Sequence, residues 1–276
     1  MPDKIEKKNN RIKGYAIWIG ILYLIMQHNL YLAGHYLALW LGFTPFLPKI
    51  ALDNRIPIVS VFIVPYIWSY AYWAMGPMAV SKCGKEHFAD YMAANLVACL
   101  AGVFVLAFFP TYMDRVAEGL YNVPANPTVF DRLRMFWYSL DGSETAYNLL
   151  PSFHCLNSTL CYLGVAGRKE IPVWFRAYSF VTTLLIYAST VYVKQHYFLD
   201  IITGVALAVA SYYVCKNITG AGYLRRSSAF MLHGRPRKRG QRSNIAANNQ
   251  YCVTHKRGFC FFRQSLLFLK LQPFPY

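Results

Sequence analysis

Apolar residues in this chain come in long blocks. Residues 15–41, 56–80, 91–109, 171–193 and 198–218 each come close to, or exceed, the ~20 residues that a membrane-spanning helix needs. A sixth block, residues 149–166, is shorter. Any one block could be a buried helix of a soluble protein, but six with so few charges among them could not. The pattern predicts six spanning helices. The first block is too long for a signal-peptide core, and no small-residue cleavage site follows it, so it is read as a retained helix.

Composition points the same way. The chain is 56% hydrophobic, 17% aromatic and only 14% charged, with a mean hydropathy of +0.26. A soluble domain carries about a quarter charged residues, so a globular cytosolic protein is excluded. Three regions follow: a basic N-terminus at residues 1–13, an all-α integral membrane domain of six helices at 14–218, and a basic tail at 219–276.

Charge then orients the domain. Six spans put both termini on one side, and 22 of the 28 Lys and Arg fall on that side. The positive-inside rule makes it the cytoplasmic one. Most of the net charge of +16 is local, since residues 221–276 hold 11 Lys or Arg and no Asp or Glu. Such a tail is expected to lie on anionic lipid headgroups or to stay disordered. Its run Arg235-Pro236-Arg237-Lys238-Arg239 comes without a nucleic-acid-binding fold or aromatic platform, so no nucleic-acid partner is expected. Five of the seven cysteines (Cys83, Cys99, Cys155, Cys161, Cys215) sit in or beside apolar blocks as small hydrophobes. Cys252, His255 and Cys260 have only loosely metal-like spacing. Neither a metal nor a cofactor is expected.

Two stretches carry candidate chemistry. One is Pro151-Ser152-Phe153-His154; the other runs from Ser189 to Asp200 and holds Lys194, His196 and, four residues later, Asp200. Ionisable residues at the ends of spans are costly and mark function. If the sixth span begins near His196, Asp200 lies one turn on and on the same face. Its carboxylate would fix the imidazole tautomer and leave the other ring nitrogen as a nucleophile toward phosphorus. Pro151 suits the first turn of a helix, so the fourth span is expected to start there. That helix N-terminus, with the Ser152 hydroxyl, would bind phosphoryl oxygens, and His154 would protonate a departing alkoxide. His28 and His35, in the first span, are read as interfacial polar residues. Both stretches fall on the extracytoplasmic face. So does the one sizeable loop on that side, 110–148, which carries Arg115, Arg132, Arg134, Asp141 and Glu144. The two acids could bond an acceptor hydroxyl or be ordinary solvated charges.

These stretches make the chain resemble the type 2 phosphatidic acid phosphatase (PAP2) superfamily, whose pattern is K-x6-R-P, P-S-G-H and S-R-x5-H-x3-D. The matches are Pro151, Ser152 and His154, then Ser189, His196 and Asp200. Phe109-Pro110-Thr111 followed by Arg115 is similar to the first motif in the bacterial branch related to inositol phosphorylceramide synthases. The resemblance implies a six-helix bundle, a bacterial plasma membrane, and a phosphorylated lipid as substrate. It also implies His196 as nucleophile, Asp200 as its orienting carboxylate, His154 as acid, and a phosphate site including Arg115, Ser152 and Ser189. The chain departs from the pattern. Phe108 stands where lysine is expected, Val116 replaces proline, Phe153 replaces glycine, and Thr190 replaces arginine. Two of three cationic clamps are missing, leaving Arg115 and Lys194 as candidates.

The expected activity is a lipid-phosphate phosphatase working through a phosphohistidine. The alternative is a phosphotransferase of the sphingolipid synthase type, in which an alcohol replaces water and a weaker clamp suits the lower charge of a phosphodiester. A transporter would carry ionisable groups at midplane rather than at one face. A pseudoenzyme would follow if Thr190 and Phe153 abolished phosphate binding.

Overall fold

A computed structural model describes residues 12–140 and 144–218. Along them run α1 (Gly14–Leu41), α2 (Ile63–Val80), α3 (Lys85–Phe108), β1 (Tyr112–Asp114), α4 (Val129–Leu140), β2 (Thr145–Tyr147), α5 (Phe153–Val165), α6 (Val173–Tyr192) and α7 (Phe198–Ile218). The expected basic tail, its Cys252, His255 and Cys260, residues 1–11 and Asp141 lie outside the described residues.

Each of the six apolar blocks contains a helix, but the helices are not alike. Three of them, α1, α3 and α7, are long and apolar enough to cross a membrane. The protein is accordingly of the integral membrane type. Helices α2 and α6 have 18 and 20 residues, yet aromatic and hydroxyl side chains dilute their hydropathy. Many of those polar groups turn inward: Ser69, Ser179, Thr182, Thr183 and Thr190 are all buried. Helix α5 is the exception in length. At 13 residues it rises only about 20 Å, short of a ~30 Å hydrocarbon core. It is surrounded by α2, α3, α6 and α7, and eleven of its thirteen residues are buried. Its apolar character serves protein packing on every side, which a sequence pattern cannot distinguish from contact with lipid.

Small residues let these helices approach. A Cβ placed on Gly204 of α7 would lie 2.5 Å from the backbone oxygen of Ser152. Only glycine fits there, and the contact brings the start of α7 against the start of α5. Gly42 ends α1 with φ 70°, and its N–H bonds the carbonyls of Ala38 and Leu39.

One end of the bundle is basic. The N–H of Lys13 donates to Ser81 Oγ (3.2 Å), and Arg168 Nη2 lies 2.6 Å from His87 Nδ1. These contacts tie the start of α1, the α2–α3 turn and the α5–α6 turn together, with Lys82, Lys85 and Lys169 nearby in sequence. The opposite end carries a cap built from residues 42–62, 110–140 and 144–148. The last two of these segments were expected as one loop, and they are more structured than that. Strands β1 and β2 pair antiparallel, Met113 opposite Ala146, and Phe46 bridges to Thr111 alongside. Between the strands, α4 opens on a capping box: Thr128 N–H donates to Asp131 Oδ2 (2.9 Å) and Asp131 N–H returns to Thr128 Oγ1 (3.2 Å). Ser60 Oγ also donates to Asp131 (2.5 Å), and these bonds hold its carboxyl down at about 2. Helix α4 turns Asp131, Arg134 and Tyr138 inward and leaves Val129, Phe136 and Leu140 exposed. A helix with polar residues inside and apolar ones outside suits a membrane surface.

The second block was expected to be helical from residue 56. Instead residues 56–59 form a strap, with Val59 N–H bonded to the Tyr192 carbonyl at 3.0 Å, and a 3-10 turn at Ser60–Phe62 leads into α2 at Ile63.

Candidate active site

At the capped end, α5, α7 and the turn between α6 and α7 meet. Ser152 is the N-cap of α5, its Oγ accepting from Cys155 N–H (3.4 Å). Pro151 therefore precedes the cap instead of opening the helix. His154 is the second helical residue. Leu149 and Leu150 N–H both bond Thr111 Oγ1 at 3.0 Å, which fixes the segment leading into α5. The backbone N–H of Ser152 donates to the Asp200 carbonyl (3.0 Å), so the two motifs are joined directly.

His196 lies in the turn before α7, two residues ahead of its first residue, Phe198. The expectation that His196 and Asp200 share a helix face is corrected here, although their contact forms. Asp200, fully buried in the first turn of α7, accepts from Tyr197 N–H (2.8 Å) and lies 3.3 Å from His196 Nδ1 with the same oxygen. With the proton on Nδ1, the lone pair is on Nε2. The Tyr138 hydroxyl donates to the Val193 carbonyl (2.6 Å), and His196 N–H bonds Thr190 O (3.1 Å), so the turn is held from both sides.

His154 faces His196 with ring centroids 5.8 Å apart. Its ring stacks on Tyr66 (4.2 Å) and meets the edges of Trp73 (5.0 Å) and Tyr70 (5.5 Å). Its Nε2 is buried and has no hydrogen-bond partner. Packing rather than hydrogen bonding therefore sets its orientation, and a donor or acceptor atom is left for a ligand. Both histidines line a cavity of about 570 Å³, together with residues of α1, α2, α4 and the start of α5. An alcohol or water acceptor and the polar end of a lipid would fit in that space.

The expected phosphate ligands stand differently. None of Arg115, Ser152, Lys194 and Ser189 lines the cavity. Ser189 Oγ bonds Ile186 O within α6 (2.7 Å), and Ser152 Oγ is spent on its cap. Lys194, at φ 52°, turns its Nζ to the Asp53 carbonyl (2.9 Å), and burial pushes its pKa down. It ties residues 53–55 to the α6–α7 turn. Arg115 comes nearest. It is fully buried at the end of β1, its Nη2 donates to Gln195 Oε1 (2.8 Å), and its guanidinium lies 4.5 Å from the centre of the Tyr138 ring.

The model of the PAP2 superfamily matches residues 35–214. The chain belongs to the PAP2 superfamily. No curated protein and no solved structure matches it. The matched region contains both histidine motifs, α2 through α6 and most of α7, but not the part of α1 that lines the cavity.

Several cavity residues of this PAP2 protein escaped the sequence reading. Tyr66, Tyr70 and Trp73 lie on one face of α2 at i, i+4 and i+7, a spacing that was visible but reads equally as core. His28, read as interfacial, lines the cavity from α1. Gln195 had no signal beyond its place next to His196.

Proposed function

We propose that this protein is an integral membrane enzyme that cleaves a phosphoric ester of a lipid through a phosphohistidine on His196. The observation that carries the reading is the Asp200-backed His196 facing His154 across one aromatic-lined cavity. His196 Nε2 attacks phosphorus, a P–N bond forms, and the P–O bond to the lipid alkoxide breaks. His154 gives its proton to that alkoxide oxygen. In the second half the acceptor oxygen loses its proton to His154, forms the new P–O bond, and releases His196. Asp200 keeps the Nδ1–H in place throughout.

With water as acceptor the enzyme is a lipid-phosphate phosphatase, the first reading. With an alcohol it is a phosphotransferase related to the inositol phosphorylceramide synthases. One observation favours the second: Lys194 is committed to Asp53, and Arg115, which does not line the cavity, meets its wall at Gln195. A dianionic monoester would find little positive charge at such a wall. The proposed setting is a bacterial plasma membrane crossed six times, with both termini cytoplasmic and the site outside. The apolar helices and the basic opposite end support it. Purified protein given labelled phosphatidic acid, and separately a phosphodiester lipid with an alcohol, tests the reading. Release of inorganic phosphate marks the phosphatase, and a new labelled phospholipid marks the transferase. Equal turnover of every donor by His196→Ala would refute both.

A further inference from the structure

Gln195 stands between Arg115 and the cavity. Its exposure is 3%, and it lines the cavity beside His154 and His196. The orientation of its amide follows from chemistry. A guanidinium has no acceptor atom, so the atom facing Arg115 Nη2 at 2.8 Å must be Oε1. That leaves Nε2, with its two N–H donors, as the other end. Nε2 is buried and has no hydrogen-bond partner. A buried donor without an acceptor is a cost to the folded protein, and a ligand oxygen in the cavity would remove it. The backbone is fixed too, since Gln195 N–H bonds Thr190 O at 2.9 Å.

We propose that Gln195 is the hydrogen-bond donor to a nonbridging phosphoryl oxygen. Arg115 acts through it as a positioning residue, and the site is matched to a singly charged phosphodiester rather than a dianionic phosphomonoester. This rests on the phosphoryl-transfer reading of the same site. The charge argument is simple. The cost of desolvating an ion rises with the square of its charge, so a dianion needs far more compensation than a monoanion on entering this cavity. A neutral amide polarised by a guanidinium behind it supplies enough for one charge. It replaces the direct cation contacts that Phe108, Thr190 and the averted Lys194 do not make. Thr190 stands beside the same turn, its Oγ1 given to Tyr187 O at 2.8 Å.

The test uses the full chain in lipid nanodiscs. Two donors are compared by kcat/KM: phosphatidylinositol with a labelled alcohol acceptor, and phosphatidic acid. The parent should prefer the diester by about tenfold or more, as expected where one anionic charge goes uncompensated. Gln195→Glu keeps an acceptor for Arg115 but places an anionic oxygen where the donor stood. It should lose about 100-fold in kcat/KM on the diester while its thermal midpoint stays at or above the parent's. Gln195→Ala should lose about tenfold to 100-fold. Arg115→Met should cost less in the Gln195→Ala background than in the parent, which a purely structural arginine would not show. The inference is overturned if Gln195→Glu matches the parent, if its loss follows a fall in thermal midpoint, or if the parent prefers phosphatidic acid. Full activity of His196→Ala would instead remove the phosphohistidine reading and leave the Gln195 result standing on its own. No turnover of either lipid by the parent would remove both.

Discussion

Asp200 receives two hydrogen bonds on one oxygen, from the His196 ring and from Tyr197 N–H. The first sets the proton on Nδ1, and the second holds the carboxylate so that it can. Asn at this position would keep both bonds through its carbonyl oxygen but remove the negative charge that stabilises the ring as Nε2 attacks. Asp200→Asn should therefore fold like the parent and lose more than about tenfold in kcat, the scale of a lost charge-assisted hydrogen bond. Circular dichroism with single-turnover kinetics measures both, and a variant within tenfold of the parent would count against His196 as nucleophile. His154 is held differently. Stacking on Tyr66 and edge contacts from Tyr70 and Trp73 set its ring, so its position depends on α2 as much as on α5.

Helix α7 meets the beginning of α5 where Gly204 lies against the Ser152 carbonyl. Because the neighbour is backbone, it cannot yield by changing rotamer. Gly204→Ala should cost about 1–3 kcal/mol of stability and more than tenfold in kcat, since it separates Asp200 from the α5 N-terminus. A melt and a rate measured together decide it; an unaltered rate would mean the junction does not position the site. The helices also differ in how far the sequence could be read. The six apolar blocks each yielded a helix because lipid and protein interior select the same side chains. For the same reason the pattern did not show that α5, short and carrying polar Asn157, Ser158 and Thr159, is packed in protein on every side. The cap was missed because its information is local and weak: two three-residue strands, and a 12-residue α4 whose apolar face is turned outward. The Thr128–Asp131 capping box was the one signal present in that segment. At the site, the histidines and Asp200 were legible because costly residues in an apolar chain stand out. The positions of Lys194 and Gln195 were not, since a turn at φ 52° decides which neighbour faces the cavity.

Across the whole molecule the polarity of the two ends is plain. Exposed Trp18 and Trp174 lie toward the basic end, and exposed Trp40 lies toward the capped end. Trp18 and Trp40 are separated along α1 by about 33 Å at helical rise, close to a bilayer core, as an aromatic belt on each side requires. The six-crossing reading places Lys85 in the cytoplasm and Ala125, in the cap, outside. In a cysteine-free version of the protein, Ala125→Cys should react with an impermeant maleimide on intact cells, and Lys85→Cys only after lysis. The reverse pattern would invert the molecule, and equal labelling would end the alternation of ends across the membrane.

In the proposed mechanism His196 carries the phosphoryl group. Incubating His154→Ala with a donor labelled in the transferred phosphoryl group, quenching in base and mapping the label by peptide mass spectrometry tests it most directly. With a nitrophenyl ester as donor the leaving group needs no proton from His154, while the second half stalls without its base, so acid-labile, base-stable phosphate should accumulate on the peptide containing His196 and be absent from His196→Ala. Label on any other residue, or turnover by His196→Ala at the parent's rate, would contradict the account.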